Sequence, residues 1–94
     1  MIIGTCRVEL HLPGNGSLKG KRSRLRPLLN RLHKEFNVAT AEVDYQDLWQ
    51  SARIALVTVS TDAGHVQRVL ERAVRWIEVN RPDLMVVDWE IEIF

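Results

Sequence analysis

Residues 14–36 read GNGSLKGKRSRLRPLLNRLHKEF, and the reading of this stretch decides the rest. It opens on turn-forming residues. It then places Leu18, Leu25, Leu28, Leu29, Leu32 and Phe36 at helical spacing, which makes one apolar stripe. Ser17 is positioned to cap the helix, because its hydroxyl can accept one of the free N–H groups of the first turn. Asn37 stands where a left-handed residue ends a helix. Two residues work against a regular helix. Gly20 weakens the first turn, and Pro27 has no N–H and crowds the carbonyl of Ser23. Either the helix begins near Leu18 and bends at Pro27, or it begins at a Ser23 cap. The leucine stripe keeps one register throughout, which favours a single bent helix.

On the N-terminal side, Met1–Leu12 alternates with a period of two. Cys6, Val8, Leu10 and Leu12 share one face, while Thr5, Arg7, Glu9 and His11 share the other. The segment PGNG at residues 13–16 ends this strand. On the C-terminal side, residues 38–44 are short and β-like, with Ala39, Ala41 and Val43 on one face, and residues 45–50 connect. Residues 52–61 are apolar on both faces, as a central strand is. From Asp62 to Asn80, Val66, Val69, Leu70, Ala73, Val74 and Ile77 recur at helical spacing. Arg81-Pro82 stops that helix. Residues 84–94 alternate again, with Met85, Val87, Trp89, Ile91 and Ile93 on one face.

The order is βαββαβ. Right-handed crossovers place both helices on one face of a four-stranded antiparallel sheet, with the first and third strands central. The expected class is therefore α+β, a ferredoxin-like sandwich formed as one domain over residues 1–94. Its core is predicted to contain Val8, Leu10, Leu12, the two helical stripes, and Val87, Trp89 and Ile91.

Composition narrows the function. Net charge is +1, so a nucleic-acid reading must rest on where charge sits. It is concentrated: Lys19, Lys21, Arg22, Arg24, Arg26, Arg31 and Lys34 are seven of the 13 Lys and Arg residues, with no acid until Glu35. A single cysteine excludes an intramolecular disulfide and a cysteine-ligated cluster within one chain. Neither a membrane-span pattern nor a signal-peptide pattern is visible, and a cytoplasmic location is expected.

The leading candidate site is Ser17, Lys19, Lys21, Arg22, Arg24 and Arg26. Cations at a helix N-terminus oppose the macrodipole, and they become favourable there once an anion is bound. The segment is not a phosphate-binding P-loop. It reads either as a solvated cationic face or as an RNA-backbone contact. Glu42, Asp44 and Asp47 are close enough in sequence to suggest a divalent cation, but such residues more often form turns and guard edge strands. No metal and no cofactor is expected. Trp49 reads as a lid packed over the core edge rather than a stacking platform. His11, His33 and His65 lie on three elements with no triad spacing, and no catalytic residue is assigned. Cys6 reads as a small buried hydrophobe. The uncovered sheet face is predicted to be acidic and poor in aromatics, which opposes base stacking there. Its apolar centre makes it a candidate surface for a homodimer. An acylphosphatase-like enzyme shares the topology, but its glycine- and arginine-bearing loop after the first strand is missing.

The segments SLKGKR at residues 17–22 and FNVATAEVDYQDLWQSARIALVTVS at residues 36–60 carry a resemblance. Ser17-Leu18-Lys19, Lys21-Arg22, Phe36-Asn37-Val38, Ala41-Glu42-Val43 and Gln46-Asp47-Leu48-Trp49 together make the chain similar to the YlxP-like family, a small bacterial domain of unknown function. Pro27 departs from that family's first helix. The resemblance implies a ferredoxin-like fold and a bacterial cytoplasmic protein whose genes often lie among translation and ribosome-maturation genes. It brings no established activity and no catalytic residues. The functional expectation is a non-enzymatic accessory protein that contacts RNA or ribosomal components through its basic helix. The alternative is a homodimeric interaction module acting through the open sheet.

Overall fold

A computed structural model describes Met1–Phe94. The elements run β1 (Ile2–His11), α1 (Leu18–Phe36), β2 (Ala39–Asp44), β3 (Ser51–Ser60), α2 (Ala63–Asn80) and β4 (Met85–Ile93). The strands pair antiparallel in the order β2-β3-β1-β4. This is the expected ferredoxin-like sandwich, with β1 and β3 central.

The caps lie where local chemistry puts them. The Ser17 hydroxyl accepts the Gly20 N–H at 2.9 Å. Asn37 takes a left-handed φ of 52° and returns its N–H to His33 O. Asp62 accepts from Gly64 N at 3.1 Å to start α2. Between Ser17 and Asn37, α1 is one helix that runs through Pro27.

One face of the sheet meets the helices. Cys6, Val8 and Leu10 of β1 and Ala52, Ile54 and Leu56 of β3 pack on Leu25, Leu28 and Leu32 of α1 and on Val66, Leu70, Ala73, Val74 and Ile77 of α2. Together with Leu12, Val38 and Leu84, these residues form a core of 17 buried side chains. α2 approaches β1 very closely at Gly4, where an added Cβ would lie 2.1 Å from Val66 Cγ1.

The expected core membership of β4 needs correction. The pairing with β1 shifts between Glu9 and Leu10, so Asp88 faces Glu9 and Val86 faces Leu10. Val87 is the extra residue of this β-bulge, and a bulge re-aims its side chain. Val87 is 63% exposed and Trp89 43% exposed, while Val86 and Ile91 pack against the core. A second shift between Glu42 and Asp44 does the same to Val43, which is also exposed and does not join Ala39 and Ala41 in a regular face.

Candidate functional site

The basic segment of α1 divides by helical position. Lys21 lies at the same spacing as Leu25, Leu28 and Leu32 and is only 2% exposed. Its ammonium donates to Tyr45 O at 2.6 Å and Leu48 O at 2.9 Å, and it lies 2.8 Å from Glu42 Oε2. It is a buried clamp on the β2–β3 loop and presents no charge outward. Its place on the apolar stripe was visible in the sequence as the i, i+4, i+7 spacing to Leu25 and Leu28.

Arg24 also leaves the expected cluster. It donates to Pro13 O at 3.3 Å and to Asp83 O, and its Nε lies 3.5 Å from Asp83 Oδ2. Arg81 completes this knot through two 3.0 Å bonds to the Asp83 carboxylate and one to Arg24 O. The Arg81 guanidinium, assisted by the charge of Arg24, holds the Asp83 carboxyl below its usual range. The partner of Arg24 lies 59 residues away, so no local pattern announces it. Ser17 directs its acceptor at the helix cap.

Lys19, Arg22 and Arg26 remain together on the outward face of α1. With Ser23, Pro27 and Asn30 they line one shallow groove. No carboxylate lies within 4.0 Å of these three cations. A second groove joins Arg22, Arg26 and Asn30 to Thr40 and Glu42 of β2. Two helices therefore give the molecule a polarity: they carry ten of its 13 Lys and Arg residues but three of its 12 acids. The strands and loops hold the remaining nine acids and three arginines. The excess of cations on the helix side favours anions there.

The open sheet face is organised by two arginines. Arg7 pairs with Glu90 at 2.6 Å and lies 3.7 Å from Glu92. Arg53 bonds Glu9, Asp44 at 3.0 Å and the Tyr45 hydroxyl at 2.7 Å, and its guanidinium lies 4.7 Å from the centre of the Tyr45 ring. The hydrogen bond from Arg53 draws the Glu9 carboxyl below its usual range. Asp88, Glu90 and Glu92 leave acids in excess there. Away from these groups, Ile3 pairs with Val59, and Val57 lies between Thr5 and Ala39. Val57 and Val59 are exposed.

The other candidates resolve locally. Glu42 faces Lys21 and Asp44 faces Arg53, so the three acids of residues 42–47 do not converge. His11 Nδ1 lies 3.0 Å from Gln50 O and His33 Nδ1 2.9 Å from Val38 O. Cys6 is fully buried, and burial pushes its thiol up to about 11. Trp49 is not a packed lid: it is 54% exposed and lies outside the core. No helix is long and apolar enough to cross a membrane.

Comparison with known proteins agrees with this fold. The model of DUF503, described as a protein of unknown function, matches residues 3–91. The uncharacterized protein YlxP of Bacillus subtilis (strain 168) is 34% identical over 77 residues, which span 82% of this chain and 84% of that protein. Among solved structures, SnoaB, a cofactor-independent oxygenase from Streptomyces nogalater, superposes with a TM-score of 0.59 at 15% identity over 100% of this chain and 92% of its own. The NE2512 protein of unknown function from Nitrosomonas europaea gives 0.56 at 15% identity over 100% and 88%. At such identity these likenesses establish a shared fold and nothing of function.

Proposed function

The chain belongs to the DUF503 family of unknown function, and from that premise we propose that it is a non-enzymatic accessory protein that contacts RNA through the outward face of α1. Lys19, Arg22 and Arg26 meet the phosphates. Lys21 and Arg24 have structural duties and drop out of the contact set, and Ser17 serves it only by starting the helix. The observation that carries the reading is that these three cations share one groove with no carboxylate within 4.0 Å of any of them, whereas Arg7, Arg31 and Arg68 each meet an acid. An unneutralised row of cations one helical turn apart suits a row of phosphates, and arginine adds bidentate geometry. Ribosomal RNA in the cytoplasm is the partner this reading favours.

The test is binding to a structured ribosomal RNA fragment across a salt series. Three phosphate contacts predict a slope of log K against log salt of about −3. Reversing Lys19, Arg22 and Arg26 to Glu is expected to abolish binding and leave the melting transition in place. Binding indifferent to the reversal overturns the reading.

A second reading rests on the valines of β3. A central strand that exposes Val57 and Val59 beside Ile3 offers apolar surface for a second copy. Sedimentation across concentrations tests it. A monomer at every concentration removes it, and a dimer abolished by Val59→Lys supports it.

A further inference from the structure

We propose that Trp49 is a stacking platform for an unpaired base of the RNA whose phosphates lie along Lys19, Arg22 and Arg26, so that the ligand is single-stranded rather than duplex. This rests on the RNA reading above and names the class of ligand within it.

The β2–β3 loop exposes Leu48 and Trp49, at 49% and 54%, while its backbone is held at nearly every step. Lys21 holds Tyr45 O and Leu48 O. Tyr45 O also accepts Leu48 N–H at 3.0 Å, and Gln50 O accepts Leu12 N–H at 2.9 Å. The side-chain amide of Asn15, itself 7% exposed, donates both to Trp49 O and, at 2.8 Å, to Ser17 O. One amide thus ties the backbone of the tryptophan to the cap of the helix that carries the cations, two residues before Lys19. An indole exposed on an immobilised backbone stacks at low ordering cost.

Gly20 belongs to the same device. A Cβ at this position would lie 2.6 Å from Asn15 Oδ1, so the glycine that weakens the first turn makes room for the amide that anchors Trp49. The cations of α1 supply the phosphate contacts. An aromatic side chain beside a cationic track is how sequence-tolerant single-strand binders work.

The experiment titrates the full chain with a single-stranded oligoribonucleotide of about ten nucleotides, and with the blunt duplex it forms with its complement. The single strand is expected to bind more tightly and to quench indole fluorescence. Trp49→Ala is expected to weaken it by roughly 5- to 150-fold with the salt slope unchanged, and Trp49→Phe to keep most of the affinity. Gly20→Ala, which dislodges Asn15, is expected to weaken it with Trp49 still present. Equal affinity for duplex and single strand, or a Trp49→Ala protein that binds as the wild type does, overturns the platform. If charge reversal on α1 still abolishes binding in that case, the RNA reading stands alone. If neither RNA binds the wild type at low salt, both readings fall.

Discussion

The ammonium of Lys21 and the carboxylate of Glu42 meet at 2.8 Å beneath the edge of the sheet, with the lysine side chain 2% and the glutamate 22% exposed. They join α1 to β2 across the boundary of the core, and the two carbonyls that Lys21 also holds fix the loop beyond. A buried charge without its partner is far costlier than the pair is favourable. Lys21→Ala is therefore expected to destabilise the protein by about 3–5 kcal/mol, read from the urea midpoint. The neighbouring Lys19→Ala should stay within about 0.5 kcal/mol of wild type. Equal midpoints for the two variants would refute the clamp.

Gly4 allows α2 to lie against β1. A methyl group there would lie 2.1 Å from Val66 Cγ1 and 3.0 Å from Leu70 Cδ1. Gly4→Ala is expected to cost about 1–3 kcal/mol by overpacking. Adding Val66→Ala should recover part of the loss, because the two sites share one volume. Additive losses in the double variant would place the strain elsewhere.

Acid should loosen the Arg24–Asp83–Arg81 knot and the Glu9–Arg53 pair together. Both carboxyls titrate lower in the folded chain than their ordinary values of 3.8 for Asp83 and 4.5 for Glu9. The unfolded chain therefore binds protons first as pH falls. The stability these groups contribute is complete above the unfolded values and is lost as pH falls through the folded ones. Asp83→Asn is expected to lower stability at pH 7, by chemical denaturation, and to flatten the decline below about pH 4. A variant with the wild-type acid slope would remove Asp83 from this linkage.

Cys6 is fully buried in β1 and its thiol is pushed up to about 11, so little thiolate exists at neutral pH and reagents cannot reach it. Alkylation is expected to follow unfolding, with a rate that rises with denaturant in step with the loss of structure. Rapid labelling of the native protein would contradict this packing.

Side-chain spacing was enough for most of the architecture. The period of two in β1, the leucine rows of α1 and α2, and the caps at Ser17, Asn37 and Asp62 all act within a turn or a strand, so their neighbours in sequence determine them. Crossover handedness then left one sheet order. Lys21 was legible in principle, because it occupies the leucine stripe, but its charge argued for solvent.

Folding in three dimensions settled what depends on distant partners. Arg24 is engaged by Asp83 and Lys21 by Glu42 and the loop carbonyls, which leaves Lys19, Arg22 and Arg26 as the outward row. Val87 alternates correctly as sequence yet stands exposed, because a bulge arises from the register between two strands and not from either alone, and Trp89, in register with Val8, is left 43% exposed on the edge strand. Trp49 is apolar enough for a core, and only the anchoring of its loop by Lys21 and Asn15 leaves the ring outside. Hydropathy is a property of each residue and its near neighbours; the pairing of charges and the exposure of a ring are properties of which surfaces finally meet.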